Sequence, residues 1–407
     1  ASCKLAMPKV TMYPEIYTRG VNGCPDGAVY YAWPPMGMFG FDDRMLRKRI
    51  FETALATVWF DQGAFSYWND HGFHVRNSTR ERYEIILRAW QVVRNHPPER
   101  PLRTTAFAGS EACCRAHGSR LSPGDRVFNT TEEAPAWAYE MARLGGQPAG
   151  VVTRLEAIGQ LSAADIDTLV LPPLYDATDE QLAAIRRLHE QGVSLLAFEI
   201  VTGLEDLFGV AEAEAPAVEL RNIRVNTDLS GNPLAELASL TEYTETVPDP
   251  LRYTSRGAQV LLEGEGPVLF LHQTRWGKTA LYNLAPTMVR RADLRERFSY
   301  GDESISELIN RSAQLVLREL GSPEVETTEG KLIAYRSASG TVIIIVEEDA
   351  FPEIPQAINP RIAIRIPGIA PENISCDREF AVVSCSAEQT VLRLALDAND
   401  CAVIAVG

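Results

Sequence analysis

The sequence predicts an α/β protein made of three successive segments, and two observations support this fold class. Over residues 1–100 and 101–322, short apolar strands alternate with amphipathic helices, which is the pattern of parallel strands joined by right-handed crossovers. From residue 323 onward apolar and polar residues alternate with period two, and strands follow one another without helices. We therefore predict domains over 1–100, 101–322 and 323–407.

Two strand and helix repeats account for the first segment. Lys9–Tyr13 and Thr57–Phe60 are short β-rich runs, and each is followed by a loop crowded with aromatic and polar residues. Arg44–Leu55 and Thr79–Val93 carry apolar residues at helical spacing, so each is predicted to be a helix. This alternation predicts that the two strands pair in parallel.

The proline-rich run Asn95–Pro101 is predicted to be an extended linker, because proline ends the preceding helix. A second α/β pattern begins beyond it and predicts an open doubly wound sheet. Its predicted helices are Thr131–Leu144, Asp179–Gln191 and Ser304–Leu320, and its predicted strands are Val151–Thr153, Thr168–Leu171 and Val193–Phe198, with a hairpin over Glu263–Tyr282 that turns near Trp276.

The third segment is predicted to be a small antiparallel β-sandwich. Polar turns, or turns with glycine and proline, separate its strands. The predicted strands are Lys331–Arg336, Thr341–Glu347, Arg361–Ile366, Phe380–Ser384, Val391–Leu396 and Ala402–Val406.

Composition and charge narrow the classes of function. The 407 residues are 45% hydrophobic, and 54 acidic residues against 39 basic ones give a net charge of −15. This charge repels phosphate groups, so no nucleic-acid partner is expected. The apolar stretches fall far short of the roughly 20 residues of a membrane helix, so no membrane partner is expected either.

The cysteines and histidines match no metal-binding motif. The seven cysteines include no CxxC pair, which indicates free thiols in a reducing, cytoplasmic compartment. Histidines and cysteines at metal-ligand spacing are absent, although His71 and His74 could share an ion with Asp70. The sequence therefore predicts no metal and no other cofactor.

Acidic side chains follow both strands of the first segment, Glu15 after one and Asp61 after the other. In a parallel arrangement the loops that bind ligands extend from the carboxyl ends of strands. Aromatic rings beside carboxylates suit sugars, whose C–H faces pack on rings while their hydroxyls form hydrogen bonds. The sequence predicts a carbohydrate site with Glu15 in the functional role and with Asp61, Trp59, Trp68, Asn69, His71, Tyr17 and Trp33 as substrate-binding residues.

Each of these residues also has a structural alternative. The aromatic rings can serve packing, and a strand-end carboxylate can cap the next helix or pair with Arg19 or Arg44. Other catalytic motifs are missing: Trp276-Gly277-Lys278-Thr279 lacks the first glycine of a P-loop, and the chain contains neither G-x-S-x-G nor G-x-C-x-G. We therefore expect no nucleophile elbow in the second segment.

Several stretches together resemble a family of glycoside hydrolases. Glu15, the helix DDRMLRKRIFETALA, the strand TVWFDQG and the loop SYWNDHG resemble the last two βα units of a TIM barrel. Asp165–Leu174, Asp179–Glu199 and Gly203–Val210 look like the trimerisation domain of family 42 β-galactosidases, which has an amidotransferase-like fold without the amidotransferase cysteine. The resemblance implies a partial (β/α)8 barrel, an amidotransferase-like doubly wound domain and a closing β domain.

The resemblance also implies a function. Glu15 matches the nucleophile of a retaining enzyme that cleaves β-linked sugars such as β-galactosides, and the chain is expected to form a homotrimer or another homo-oligomer. The matching general acid/base would lie upstream of Ala1, so the sequence is interpreted as the C-terminal part of a longer enzyme, inactive by itself. Two alternatives stay open: a glycoside phosphorylase of similar domain order, and a non-catalytic carbohydrate-binding or scaffold protein.

Overall fold

The computed structural model of the chain describes part of the sequence, and the described residues fall into two compact units. Of the described residues, those within 103–145 and 151–322 form the α/β unit, and those within 95–102, 146–148 and 323–407 form the β unit. The two predicted βα repeats lie outside the described residues. Described are 95–96, 98–110, 112–113, 130–148, 151–217, 222–242, 251–284, 307–347, 357–397 and 401–407.

The helices and strands are named in chain order. The helices are α1 (Thr130–Leu144), α2 (Asp179–Glu190), α3 (Glu205–Phe208) and α4 (Glu307–Leu320). The strands are β1 (Pro98–Pro101), β2 (Thr104–Gly109), β3 (Val151–Arg154), β4 (Ile166–Val170), β5 (Ser194–Phe198), β6 (Val210–Ala217), β7 (Ile223–Val225), β8 (Thr241–Glu242), β9 (Leu251–Ser255), β10 (Gln259–Glu263), β11 (Pro267–Gln273), β12 (Lys278–Tyr282), β13 (Val325–Thr327), β14 (Lys331–Ser337), β15 (Val342–Glu347), β16 (Arg361–Ile364), β17 (Ile374–Cys376), β18 (Phe380–Cys385), β19 (Thr390–Leu394) and β20 (Cys401–Val406).

A mixed sheet forms the centre of the α/β unit. Among the described residues its strands run in the order β3-β2-β4-β5-β12-β11-β10-β7-β8. The strands from β3 to β12 in this order are parallel, and the hairpin β11–β12 begins an antiparallel extension. Every residue of β4 and of β5 is buried, as expected for parallel strands with both faces covered.

One face of the sheet packs against α1 and α4. The ring of Trp137 on α1 lies edge-on to Phe198 and Tyr282, with centroids 6.2 and 5.8 Å away. Its Nε1 donates a hydrogen bond to Asn310 Oδ1 on α4 at 2.8 Å. The hydroxyl of Tyr282 lies 2.7 Å from Ser312 Oγ, also on α4, so both helices are tied to this face and to each other.

The opposite face packs against α2. Ile185 and Leu188 of this helix join a core with Leu169, Leu195 and Leu281 of the sheet. Thr178 caps the helix by accepting a hydrogen bond from the N–H of Gln181, whose side chain in turn accepts from the N–H of Thr178. Helices on both faces confirm the predicted doubly wound arrangement of this sheet.

Most predicted elements of the α/β unit are present, within a few residues of the expected bounds. The helices α1, α2 and α4 and the strands β3, β4, β5, β11 and β12 all match predictions. The strand β2, the short helix α3 and the strands from β6 to β10 were not predicted. Alanine and glutamate fill the sequence of β6, and both residues favour helices in isolation, but pairing with β9 gives this segment a strand conformation.

The β unit is a sandwich of two antiparallel sheets. In the described part of the chain these have the strand orders β1-β14-β15-β20-β17 and β13-β16-β19-β18. Ile344 and Ile404 of one sheet and Ile362 and Leu392 of the other belong to one buried core. The predicted strands correspond to β14, β15, β16, β18, β19 and β20, whereas the short β13 and β17 were not predicted.

The prediction of an extended linker before the second segment is wrong in one respect. Residues Asn95–Pro101 were predicted to connect two domains, but Pro98–Pro101 forms β1 and pairs with β14 at the edge of its sheet. Leu102, directly after it, is 1% exposed in the core of the β unit. Proline keeps the extended backbone of a strand but lacks an N–H to donate, so it is confined to positions such as an edge.

None of the helices in the described ranges is long and apolar enough to cross a membrane.

Gly146 in the β unit gives a test of the packing. It has φ of +84°, and a Cβ built on it would lie 1.9 Å from the carbonyl oxygen of Thr327, whose N–H donates to the Gly146 carbonyl at 2.8 Å. Gly340 has φ of +85°, but a Cβ there would meet nothing within 4 Å. We expect Gly340→Ala to cost about 1–2 kcal/mol through backbone conformation alone, and Gly146→Ala to cost about 1–3 kcal/mol more through the clash.

Denaturant unfolding of both variants measures this difference. Equal losses of unfolding free energy at the two positions would show that the contact between Gly146 and Thr327 does not limit the packing of this unit.

Candidate functional site

The residues predicted to form the carbohydrate site lie outside the described residues. The structure therefore does not test their placement, and their roles stay predictions. They are Glu15, Tyr17, Trp33, Trp59, Asp61, Trp68, Asn69 and His71.

Within the α/β unit, the place to look for a site is the edge where the parallel strands end. Ligands of open α/β sheets bind outside the carboxyl ends of the strands, beside the point where the strand order reverses. Here the order reverses between β2 and β4, because β3 follows β2 in the chain but lies on its other side. Ser110 follows β2, Leu171 follows β4, and Glu199 follows β5 at this edge.

Ser110 links the loops after β2 and β3. Its hydroxyl donates to Glu156 Oε1 at 3.1 Å and accepts from the N–H of Cys113 at 3.2 Å. Ser110 is 4% exposed, whereas Glu156 is exposed. Through these two hydrogen bonds Ser110 holds the segments after β2 and β3 together.

Glu199 has the most unusual backbone at this edge. Its φ is +54°, a left-handed conformation that residues with a Cβ rarely adopt, and it is 3% exposed. Its N–H donates to the Tyr282 carbonyl at 2.7 Å, and the next N–H, of Ile200, donates back to the Phe198 carbonyl at 2.5 Å. The chain thus turns sharply as soon as the strand ends.

The sequence predicted no nucleophile elbow in this segment, because the motifs that place a serine or cysteine nucleophile are missing. The turn at Glu199 is a different feature, which carries a buried carboxylate and was not predicted. Hydrogen bonds on both sides fix the turn, since Leu174 N–H donates to the Ile200 carbonyl at 3.0 Å and Val201 N–H donates to the Tyr253 hydroxyl at 3.1 Å.

Tyr253, whose hydroxyl accepts the hydrogen bond from Val201, is itself buried. Desolvation raises the pKa of its hydroxyl above 10, so the phenol stays neutral and keeps its proton through the physiological range. Strained conformations of this kind persist where the surrounding structure fixes them, and they concentrate at functional positions. Glu199 is therefore the candidate functional residue of this edge.

Comparison of two substitutions tests the strain at Glu199. Glu199→Gly and Glu199→Ala both remove the carboxylate, but glycine adopts positive φ without penalty. We expect the glycine variant to be about 1 kcal/mol more stable than the alanine variant in thermal or denaturant unfolding.

The exposed Glu180 on α2 is the matched control. In a helix alanine is favoured over glycine by about 1 kcal/mol, so the order of the two variants should be reversed there. An alanine variant at Glu199 as stable as the glycine variant would contradict the strained turn.

At the opposite edge of the sheet, His189 joins α2 to the β11–β12 hairpin. Its Nδ1 lies 2.8 Å from the Val193 carbonyl, which can only accept, and its Nε2 lies 2.7 Å from Thr274 Oγ1. The Nδ1–H donates to the Val193 carbonyl, and the Thr274 hydroxyl donates to the Gly277 carbonyl at 2.9 Å. Burial lowers the pKa of this histidine below 6.5, so the neutral form is the stable one.

Asp167 fixes the backbone at the same edge. Its Oδ2 accepts from the N–H of Ser322 at 2.9 Å, directly beyond the end of α4. Burial raises the pKa of this carboxyl, although the Ser322 hydrogen bond opposes the shift. Like His189, Asp167 holds secondary-structure elements in place.

The His189 contact predicts a dependence of stability on pH. Because the folded-state pKa lies below 6.5, the unfolded chain binds this proton more readily, and the histidine's contribution to stability is complete above pH 6.5 and is lost as pH falls below it. We expect His189→Gln to be less stable than wild type at pH 7.5 and to lose less unfolding free energy between pH 7.5 and 5.5.

Thr274→Ser keeps the hydroxyl beside His189 and serves as the control, with the pH dependence of the wild type. Identical pH profiles for wild type and His189→Gln would show that the histidine is not the group that titrates.

Comparisons with known proteins give structural likenesses only. No protein-family model matches the chain, and no curated protein matches it. An α-L-fucosidase from Paenibacillus thiaminolyticus has a TM-score of 0.59 at 12% identity, over 97% of this chain and 62% of that one. The GH42 β-galactosidase Gan42B gives 0.57 at 11% identity, over 96% of this chain and 56% of its own.

A cold-adapted β-galactosidase from Rahnella sp. R3 gives a TM-score of 0.56 at 13% identity, over 97% of this chain and 56% of that chain. This chain thus spans about three fifths of the length of the glycosidases that it resembles. At these identities the likeness concerns the fold, and the chain has a glycoside hydrolase-like fold.

Proposed function

We propose that this chain is the C-terminal part of a retaining glycoside hydrolase that cleaves β-linked sugars. The observation that carries the proposal is the likeness to glycosidases over 96–97% of the chain. Those proteins are named for different sugars, a fucoside in one case and β-galactosides in the others. The shared feature is therefore glycoside hydrolysis, and β-galactosides are the first substrates to test because the sequence resembles family 42.

In the proposed mechanism Glu15 is the nucleophile. Its carboxylate attacks the anomeric carbon, and the glycosidic oxygen leaves with a proton supplied by a second carboxylic acid. A water molecule, deprotonated by the same second group, then attacks the anomeric carbon and releases Glu15 and the sugar. Retention requires the two carboxyl groups to lie about 5–5.5 Å apart. The second carboxyl is proposed to follow barrel strand four, outside this sequence.

The remaining predicted residues are proposed to bind the sugar. Trp59, Trp68, Trp33 and Tyr17 offer ring faces for the apolar side of a pyranose. Asp61, Asn69 and His71 offer hydrogen-bonding groups for its hydroxyls.

The α/β unit is proposed to be an amidotransferase-like domain that mediates trimerisation or another form of self-association. Its doubly wound sheet is compatible with that fold, and no amidotransferase nucleophile is present after β5, where Glu199 stands. In this proposal the unit supports the barrel and does not itself hydrolyse the sugar.

Substitution of Glu15 tests the proposal. The variants are made in the longer enzyme of which this chain is proposed to be the C-terminal part. With an aryl β-galactoside as substrate, we expect Glu15→Gln to lower kcat by several orders of magnitude, because the covalent step is lost. The exposed Glu99 on β1 provides the matched control, and Glu99→Gln should keep the wild-type rate.

A chemical rescue distinguishes the nucleophile from a residue that only supports the site. Azide can enter the space left by Glu15→Ala and attack the anomeric carbon once, so it should restore turnover and give a glycosyl azide of inverted configuration. Wild-type turnover by Glu15→Gln would refute the proposal. A requirement for inorganic phosphate in wild-type turnover would instead identify a glycoside phosphorylase.

A further inference from the structure

The turn between β11 and β12 is built around one hydroxyl group, that of Thr274. The residues Thr274–Gly277 lie between the paired parts of the two strands, and the N–H of Thr274 donates to the Gly277 carbonyl at 2.9 Å. The hydroxyl oxygen of Thr274 accepts from the N–H of Trp276 and from the N–H of Gly277, each at 3.1 Å. A hydroxyl oxygen has two acceptor sites, so the turn occupies both of them.

His189, near the end of α2, contacts the same hydroxyl group. Its ring is fully buried, and its Nε2 lies 2.7 Å from Thr274 Oγ1. The ring also packs on the turn, because a Cβ built on Gly277 would lie 3.7 Å from its Cε1. The ring of Trp276 lies edge-on to it, with the centroids 5.8 Å apart. The imidazole of His189 therefore joins α2 to the turn.

The hydrogen bonds of this contact suit a neutral ring. Nδ1 already carries the proton that it donates to the Val193 carbonyl, so a second proton has to bind to Nε2. The new N–H then points at Thr274 Oγ1, where the turn occupies both acceptor sites. The hydroxyl proton can be donated to the Gly277 carbonyl, 2.9 Å away, but this frees no acceptor site. The charged ring and the two N–H groups of the turn cannot all bind to one oxygen.

The charged groups around the ring do not remove this conflict. Glu190, the next residue of α2, favours the added proton but is itself exposed. His272 on β11 opposes the added proton. In the turn, the guanidinium carbon of Arg275 lies 4.1 Å from the centre of the Trp276 ring and adds another positive charge on this side. Burial also disfavours the charged ring, and the pKa of His189 lies below its ordinary value.

The strands of the hairpin are held by contacts that do not involve His189. β11 and β12 pair from Gln273 and Lys278 onward, away from the turn. β12 also pairs with β5, beginning with Thr279 opposite Leu195, and the Thr279 hydroxyl donates to the Leu207 carbonyl at 2.8 Å. The turn can therefore separate from α2 while both strands stay in the sheet.

We propose that the turn Thr274–Gly277 is a proton-operated latch, in which a proton taken up by His189 releases the turn from α2. The closed state is the neutral one, with the ring against Thr274. In the open state the ring reaches water and binds its second proton, and the N–H groups of Trp276 and Gly277 lose their acceptor. The latch belongs to the α/β unit alone and is independent of the proposed hydrolysis.

Amide hydrogen exchange, followed by NMR on the whole chain, tests the latch. Exchange rates divided by those of an unstructured peptide at the same pH give protection factors for the N–H groups of Trp276 and Gly277. The released histidine has a pKa of about 6.5, so opening should become about tenfold more favourable between pH 7.5 and pH 5.5. We expect protection of these two groups to fall about tenfold, while the N–H groups of β5 keep theirs.

Two histidine variants show which group takes up the proton. In His189→Gln the protection of the turn should no longer depend on pH. His272→Gln is the matched control, because His272 lies beside the same hairpin but does not contact Thr274, and it should keep the tenfold change of the wild type. A change that persists in His189→Gln, or that disappears in His272→Gln, would overturn the assignment to His189.

Variants of Thr274 test the role of its hydroxyl. Thr274→Val keeps the shape of the side chain but removes the acceptor, so the turn should be poorly protected at both pH values. Thr274→Ser keeps the hydroxyl and should behave as the wild type. Equal protection of the wild-type turn at pH 7.5 and 5.5 would overturn the latch, and so would a matching loss in β5, which would indicate unfolding of the whole unit.

Discussion

The α/β unit depends on one constraint, which is that its central strands are buried on both faces. β4 and β5 are buried throughout, and full burial of each large aliphatic side chain contributes about 1.5–3 kcal/mol. Such strands cannot lie at a surface, so helices have to cover the sheet on two sides. Trp137 of α1 packs on one side and Leu188 of α2 packs on the other.

Because helices cover both faces of the sheet, polar side chains gather at the two ends of the strands. The two ends differ in what these side chains do. At the amino end, His189 forms a hydrogen bond with the Val193 carbonyl, and Asp167 accepts one from the N–H of Ser322. At the carboxyl end, Glu199 stands in a left-handed turn that the carbonyl of Tyr282 helps to fix. The left-handed conformation of Glu199 persists because the packed sheet around it fixes the course of the backbone.

The sequence predicted the elements whose local preference and burial agree. The helix α2 has a capping box and an apolar stripe, and β5 is a short apolar run, so both were found close to their observed bounds. β6 was missed because its alanines and glutamates favour a helix, and β1 was taken for a linker because its prolines conceal an edge strand. The turn at Glu199 was missed because positive φ at a non-glycine residue leaves no mark in composition or spacing.

Fold and catalysis place different demands on the sequence, which explains how a chain can resemble glycosidases at 11–13% identity. A core accepts many substitutions when volume and apolar pattern are kept, so layers and strand order persist. A catalytic pair accepts almost none, because the chemistry depends on carboxyl groups at a fixed separation. The likeness in fold therefore describes the scaffold, and only substitution of single residues, with Glu15 first, can test the proposed hydrolysis.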